Sequence, residues 1–185
     1  VEASRSRVCG VDGDDLLTCV DLTGQPLLSG LGPVTDFALV AGDHLLTIDA
    51  ADGALTWLDT GGGLSDIPLP SGSFSKLEAG GDEIGDAPWA CALSAVDGSV
   101  ACFGDAALAA SAPAGTGFTE LAVGDGVACV ARADELPTCW RDAEVCPDVQ
   151  APPAAVSGLT ADGCQIAGIA GDALGVSWPR RWYGE

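Results

Sequence analysis

The chain has very little positive charge. Against 27 acidic side chains it carries 7 basic ones, and Lys76 is its only lysine. Nucleic acids and anionic membrane surfaces recruit proteins through basic patches, so a formal net charge of −20 argues against both kinds of partner. Apolar runs also stay well short of the roughly 18 residues that a membrane-spanning helix needs. We therefore expect neither nucleic-acid binding nor membrane insertion.

The residues that most catalytic sites require are also scarce. His44 is the only histidine, so a Ser-His-Asp or Cys-His site would have to use it. It stands at the start of a predicted hairpin strand, where a structural role is the simpler interpretation. The sequence contains no phosphate-binding loop, nucleophile elbow, zinc-protease helix or dinucleotide fingerprint. We therefore predict that the protein is not an enzyme.

Apolar residues and aspartate, in contrast, are abundant. With 185 residues, of which 48% are hydrophobic, the chain is long and apolar enough for one domain with its own core. Most of the acids are aspartate, which favours turns when it stands beside glycine. Glutamate and lysine, the usual surface residues of helices, are few. We interpret the aspartates as turn residues between short strands.

The eight cysteines follow a regular pattern. Six of them form pairs spaced ten or eleven residues apart with a turn signal midway: Cys9/Cys19, Cys91/Cys102 and Cys129/Cys139. Such spacing is typical of facing positions on a β-hairpin and lacks the short knuckles of zinc sites. By elimination, Cys146 and Cys164 would form a fourth bridge. Four disulfides indicate an oxidising compartment, whereas eight free thiols in a cytosolic protein are the alternative.

The cysteine pairs belong to a repeat of about 37 residues. The two strands of each predicted hairpin give two aligned columns: Cys9, Leu46, Cys91, Cys129 and Ile166, facing Cys19, Trp57, Cys102, Cys139 and Ser177. A further strand precedes each hairpin, at 35–43, 75–82, 119–125 and 157–163, with a stub at 1–4 in the first repeat. A weaker strand is expected after each hairpin, as at 26–31 or near 181–184. The best helical candidate is the segment 106–111.

Repeats of this length predict a β-propeller, because each small sheet must stack on its neighbours to bury both faces. We expect an all-β fold, a propeller of about five short, three- to four-stranded blades stapled by disulfides. The whole chain, 1–185, would be one domain, with blades at about 1–31, 34–70, 74–111, 118–150 and 156–185.

Three segments carry a resemblance to a known family: WACALSAVDGSVACFGD (89–105), VACVARADELPTCWRD (127–142) and HLLTIDAADGALTWLD (44–59). They resemble RCC1-type repeats, in the cysteine-containing form of secreted bacterial proteins. The resemblance implies a propeller with a disulfide inside each stapled blade and a non-catalytic platform for binding other proteins. The usual ring of that family has seven blades, whereas this chain provides five units. A five-bladed ring, an open arc and part of a longer assembly remain the alternatives.

Two acidic loops are candidate calcium sites, since Ca²⁺ prefers clustered carboxylate and carbonyl oxygens. They contain Asp12, Asp14 and Asp15 in the first loop, and Asp82, Glu83 and Asp86 in the second. Neither loop follows an EF-hand or nonapeptide pattern, so a solvated turn is the alternative at both. We otherwise expect no cofactor.

The C-terminal segment places two bases beside two aromatic residues: Arg180, Arg181, Trp182 and Tyr183. These residue types are enriched in the hot spots of protein interfaces. The segment is therefore a candidate partner-binding site, and the outer strand of the last blade is the alternative interpretation.

Taken together, these features predict a secreted or cell-surface module that binds or assembles. Its partner would be another protein or copies of itself, and the acidic surface favours cationic partners or divalent ions. A carbohydrate-binding propeller with equivalent pockets between blades is the alternative. That function would require the same aromatic and polar set in each blade, and the repeats agree at core positions but diverge in their loops.

Overall fold

The structure is a computed structural model, and it describes residues 2–3, 7–40, 44–58, 67–81, 88–147, 149, 152, 154–169 and 176–178. Within these ranges, the chain is built almost entirely of short β-strands, and no helix is long and apolar enough to cross a membrane. The elements in chain order are β1 (Glu2–Ala3), β2 (Arg7–Val11), β3 (Leu16–Asp21), β4 (Pro26–Val40), β5 (His44–Asp49), β6 (Leu55–Leu58), β7 (Phe74–Gly80), β8 (Trp89–Ser94), β9 (Val100–Phe103), α1 (Ala106–Ala110), β10 (Glu120–Val123), β11 (Val127–Ala131), β12 (Thr138–Arg141), β13 (Ser157–Asp162), β14 (Gln165–Ile169) and β15 (Val176–Trp178).

The strands pair antiparallel with their neighbours in sequence and form successive small sheets. The first sheet contains β1, β2, β3 and the beginning of β4, and the second contains the rest of β4 with β5 and β6. The third, fourth and fifth sheets are β7–β8–β9, β10–β11–β12 and β13–β14–β15. The predicted all-β class is confirmed.

The length of β4 corrects one prediction. The sequence predicts separate strands at 26–31 and 35–43, but β4 runs without interruption from Pro26 to Val40. Up to Pro33 it pairs with β3, and from Val34 it pairs with β5. A single strand therefore passes from the first sheet to the second. The register with β3 shifts repeatedly, which lets the strand bend away from that sheet as it approaches Pro33.

The prediction of a fourth strand after each hairpin is confirmed in the first sheet but is wrong in the third. In the first sheet the beginning of β4 supplies it, but after β9 the chain forms α1 instead. Asp105 caps this helix, because its side chain accepts hydrogen bonds from the N–H groups of Ala107 and Leu108. The predicted helical segment is therefore confirmed. Residues 181–184, where another such strand was predicted, lie outside the described residues.

The hairpin registers confirm four of the five predicted column pairs. Cys9 faces Cys19, Leu46 faces Trp57, Cys91 faces Cys102 and Cys129 faces Cys139. In the fifth sheet the pairing differs by one residue. Ser177 faces Ala167, and Ile166 faces Trp178. The predicted pairing of Ile166 with Ser177 is therefore wrong by one residue.

The core lies between the sheets. Each pair of successive sheets shares an apolar cluster, in which one sheet supplies one face and the next sheet supplies the other. Between the second and third sheets, for example, Leu46 and Ile48 share a cluster with Leu77 and Phe103. Burial of a large apolar side chain contributes about 1.5–3 kcal/mol, so stacking of the sheets is the main source of stability.

Glycine allows the sheets to approach closely at one end of their first strands. A Cβ atom on Gly80 would overlap the carbonyl oxygen of Gly124, and one on Gly124 would overlap the carbonyl oxygen of Gly163. The same glycines follow or end β7, β10 and β13. Backbone contact between successive sheets at this end therefore depends on the absence of side chains.

Candidate partner-binding face

Four disulfides join the predicted cysteine pairs, and no cysteine is free. The pairs Cys9–Cys19, Cys91–Cys102 and Cys129–Cys139 each link directly opposed residues of one hairpin, with Cα–Cα distances of 4.1, 4.0 and 4.1 Å. Cys146–Cys164 has a different role, because it joins the loop after β12 to the turn between β13 and β14. Three bridges therefore lie within sheets, and the fourth connects the fourth sheet to the fifth.

Aspartate side chains shape the turns, as the composition predicts. Asp12 accepts hydrogen bonds from the N–H groups of Asp14 and Leu16, and Asp49 accepts one from that of Ala51. Two further examples, at Asp21 and Asp97, are accompanied by lowered pKa values. The hydroxyl of Thr23 is the main cause for the pKa of Asp21, and the backbone N–H of Ser99 is the main cause for that of Asp97. Each of these hydrogen bonds favours the ionised carboxylate.

The tips of the hairpins lie on one side of the stacked sheets, together with the chain links that enter the next sheet. We call this surface the hairpin-tip face and define it by the turns 12–15, 50–53, 95–98 and 133–136 and the link residues 33–34, 73–74 and 117–118. Backbone hydrogen bonds join the turns to the links. The turn between β3 and β4 lies at the other end of the strands, because β3 runs away from this face.

A recurring backbone bond holds three of the four tips to the next sheet. The carbonyl oxygens of Asp15, Gly53 and Gly98 accept hydrogen bonds from the N–H groups of Val34, Phe74 and Phe118, at 2.9, 2.9 and 3.0 Å. All three acceptors have positive φ, and all three donors have buried side chains. Because the same bond recurs at three successive sheet junctions, the turns are fixed relative to the adjacent sheets.

Tryptophan side chains reinforce the packing between sheets. Trp89 is buried, and its indole N–H donates to the carbonyl oxygens of Gly124 and Asp125 in the next sheet, both at 3.1 Å. Trp140 donates to the carbonyl oxygen of Leu108 in α1, also at 3.1 Å. Trp89 and Trp140 therefore connect successive sheets.

The only lysine lies between acids of two sheets. The Nζ atom of Lys76 is 3.7 Å from a carboxylate oxygen of Glu120 and 3.8 Å from one of Glu78. Three successive sheets have a charged residue at the same register position: Asp36 opposite Ile48 in the second, Lys76 opposite Leu93 in the third and Glu120 opposite Ala131 in the fourth. Lys76 therefore supplies the positive charge in a row that is otherwise acidic.

Asp36 also joins two sheets directly. Its side chain accepts hydrogen bonds from the N–H groups of Phe37 and, across the junction, Leu77. Burial raises the pKa of the Asp36 carboxyl, and these bonds together with the charge of Lys76 only partly oppose that effect. The row therefore has a structural function, in which polar groups connect neighbouring sheets.

Two grooves open on the hairpin-tip face. The first, of about 540 Å³, lies between the third and fourth sheets. Leu93 and Phe118 are its buried apolar residues, and Lys76, Val96 and Asp97 also line it. The guanidinium of Arg132 stacks on the Phe118 ring, 4.3 Å from its centroid, which fixes the ring from the other side.

The second groove, of about 420 Å³, lies between the fourth and fifth sheets at the equivalent place in the repeat. Its lining includes Glu120, Arg132, Asp134, Val156 and Ile169. The position of Phe118 in the first groove is taken by Val156, and that of Lys76 is taken by Glu120. The two grooves therefore share a location and differ in chemistry.

The predicted site residues are only partly described by the structure. Asp12, Asp14 and Asp15 form one exposed turn, in which the Asp12 carboxylate accepts backbone hydrogen bonds. Among the described residues, no three acidic, cysteine or histidine side chains converge into a group that could hold a metal ion. The other calcium candidates and the C-terminal candidates lie outside the described residues: Asp82, Glu83 and Asp86, and Arg180, Arg181, Trp182 and Tyr183.

Solved structures show which architecture these stacked sheets have. The chain is similar to the CRINKLY WD40 ectodomain of the Arabidopsis thaliana receptor kinase ACR4, with a TM-score of 0.67 and 17% identity over 95% of this chain. It is also similar to the ectodomain of the Physcomitrella patens receptor kinase CR4, with a TM-score of 0.63 and 22% identity over 95% of this chain. The fold is a β-propeller. We refer to each sheet as a blade.

At these identities the likeness shows the fold alone. This chain spans 62% of the length of the ACR4 chain and 48% of that of the CR4 chain, so it corresponds to part of each. No protein-family model matches the sequence, and no curated protein matches it.

The grooves and the recurring tip bond are the features that the sequence interpretation missed. A signal for the bond was present, since Asp15, Gly53 and Gly98 each close a turn and each precedes a strand by one or two residues. Aspartate and glycine are the residues that most readily adopt positive φ. The grooves had no comparable signal, because their lining residues come from separate segments and differ between blades.

Proposed function

We propose that this protein is a non-catalytic, secreted or cell-surface β-propeller that binds proteins, either a separate target or further copies of itself. The observation that carries this proposal is the hairpin-tip face. On or beside this face, three successive blades have exposed apolar side chains, Val96, Leu136 and Ile169, and two of them, Val96 and Ile169, line the two grooves. Exposed apolar groups beside concave, rigidly held surfaces are typical of sites where another protein docks.

An extracellular location is the second part of the proposal. Four disulfides in one domain are typical of oxidising compartments. The two similar structures are ectodomains of receptor kinases, which supports an extracellular, non-enzymatic function by analogy of fold. We also propose that the repeats are of the RCC1 type and form five blades, on the strength of the segments 44–59, 89–105 and 127–142.

Glycan binding is the competing function, and the grooves disfavour it. A propeller that binds one sugar at each junction would repeat the same binding groups in each groove. Here Lys76 and Phe118 in the first groove are replaced by Glu120 and Val156 in the second. The conserved feature of the junctions is instead backbone hydrogen bonding, which does not distinguish ligands.

Surface binding tests the proposal. Labelled protein with its disulfides intact is applied to cells of its source organism. Parallel samples of these cells are pretreated with protease or with periodate, which destroys vicinal diols of glycans. We expect protease to abolish binding and periodate to leave it unchanged. Binding that is lost only after periodate would contradict the proposal and support the glycan alternative. Sedimentation velocity of the protein alone reports whether copies of the chain associate.

A further inference from the structure

The two grooves lie at successive blade junctions and are bordered by exposed apolar side chains. Val96, at the tip above the first groove, is 85% exposed, and Leu136, at the next tip, is 61% exposed. Ile169 borders the second groove and is 47% exposed. Exposed apolar side chains therefore occur at this end of the third, fourth and fifth blades.

The basic and acidic side chains around the grooves differ in whether they already have an ion-pair partner. The two bases of the grooves already have partners, because Lys76 lies between Glu78 and Glu120, and Arg132 contacts Glu135 at 3.1 Å. Among the described residues, Asp97 and Asp134 have no basic side chain at ion-pair distance. The accessible charge at the rims of the grooves is therefore negative.

The rest of the hairpin-tip face extends the same charge. The tips of the first two blades carry exposed aspartates and no base: Asp12, Asp14, Asp15, Asp49 and Asp52. A partner segment that leaves the grooves toward the first blade would meet these carboxylates. Complementary charge would both accelerate the encounter and select the partner.

We propose that the two grooves form one docking track for an extended, positively charged segment of a partner protein. Apolar side chains of the segment occupy the grooves, and its basic side chains face Asp97 and Asp134. This inference rests on the proposed protein-binding function. A second copy of this chain is a poor occupant, because each copy has a net charge of −20 and would repel the other.

The repeat supplies a matched set of variants. Ala95 and Ala133 occupy the same position in the third and fourth blades, both are exposed, and each lines one groove. Ala50 occupies this position in the second blade, is also exposed, and lines neither groove. Ala95→Trp and Ala133→Trp would fill the grooves, whereas Ala50→Trp is the control for adding an indole to an exposed tip.

The probe is a synthetic peptide of alternating leucine and arginine, and its binding is measured by isothermal titration calorimetry. Two further peptides replace leucine by serine or arginine by glutamate. We expect A95W and A133W each to weaken binding by about tenfold or more, and A50W to leave it within about twofold of the unsubstituted protein. Both altered peptides should bind at least about tenfold more weakly than the leucine–arginine peptide.

Three results would overturn the proposal: no binding of the leucine–arginine peptide, equal binding of the serine peptide, or equal effects of A50W and A95W. Thermal unfolding of each variant checks that the propeller is intact. The cell-surface assay separates this inference from the general function. If surface binding is sensitive to protease but unaffected by A95W and A133W, the protein binds proteins elsewhere, and only the docking track is wrong.

Discussion

The backbone N–H of Phe118 donates to the carbonyl oxygen of Gly98 at 3.0 Å, and this bond fixes the tip of the third blade to the start of the fourth. Gly98 has a φ of +67°, and a Cβ atom there would lie 2.7 Å from the Phe118 carbonyl oxygen. The bond therefore depends on both the left-handed conformation and the missing side chain.

Gly98→Ala is predicted to lower the free energy of unfolding by about 2 kcal/mol, because backbone strain adds to the clash with Phe118. Gly24→Ala is the control, since Gly24 also has positive φ but a Cβ atom would meet nothing within 4 Å. Chemical denaturation of both variants measures the difference. Equal losses in the two variants would show that the contact with Phe118 contributes nothing.

A cysteine pair introduced at Leu46 and Trp57 is predicted to form a disulfide. These residues face each other in the second blade at the position that Cys91 and Cys102 occupy in the third. Directly opposed positions of a hairpin bring the two Cβ atoms close enough for the sulfur atoms of two cysteines to bond. Mass spectrometry of alkylated Leu46→Cys/Trp57→Cys protein should show no added label, whereas alkylation at both new thiols would contradict the alignment of the repeats.

Trp89→Phe is predicted to cost about 1–3 kcal/mol of stability, because it leaves the buried carbonyl group of Gly124 and the partly buried one of Asp125 without their indole donor. Trp57→Phe is the comparison, since Trp57 is only partly buried and donates one hydrogen bond, of 3.3 Å, to Ile67. We expect the loss at Trp57 to be the smaller one by thermal or chemical unfolding. The reverse order would mean that the hydrogen bonds of Trp89 to the fourth blade are unimportant.

Asp36→Asn is predicted to change how stability depends on pH. Burial raises the pKa of the Asp36 carboxyl, so the stability it contributes is fully present below the ordinary value of 3.8 and is lost as the pH rises through the raised folded value. Asparagine has no charge to bury, but its single oxygen can accept from only one of the two N–H groups, Phe37 or Leu77, that the carboxylate accepts from. Relative to the unsubstituted protein, the variant should therefore gain stability as the pH rises from acid to 7.

Denaturation of the unsubstituted protein and the Asp36→Asn variant between acid pH and pH 7 tests this prediction. If the unsubstituted protein were the more stable one at neutral pH, with the difference vanishing in acid, attraction between Asp36 and Lys76 would outweigh the cost of burial.

Local covalent and turn signals made much of the propeller predictable. The spacing of Cys9 and Cys19, repeated at Cys91 and Cys102, indicated hairpins whose facing positions could be read directly. The same spacing revealed the period of the repeat, and the period indicated stacked sheets. The predicted helical segment 106–111 differs from α1 by one residue at its end.

Features that depend on tertiary geometry were not predictable in the same way. Nothing local distinguishes Ala167 from Ile166 as the partner of Ser177, so the one-residue difference in the register of β14 with β15 was not predictable. Likewise, the passage of β4 between blades depends on two different partner strands. The grooves arise where distant segments meet, so they follow from the stacking and not from any one motif.

Position-specific photo-crosslinking shows directly whether partners bind the hairpin-tip face. A benzophenone amino acid replaces Val96 or Leu136 on that face, or Leu22, which is 67% exposed in the turn between β3 and β4 at the other end of the strands. After irradiation on cells, Val96 and Leu136 should yield crosslinked protein products and Leu22 should yield none. Products formed only from Leu22 would place the binding surface on the opposite face and contradict the account.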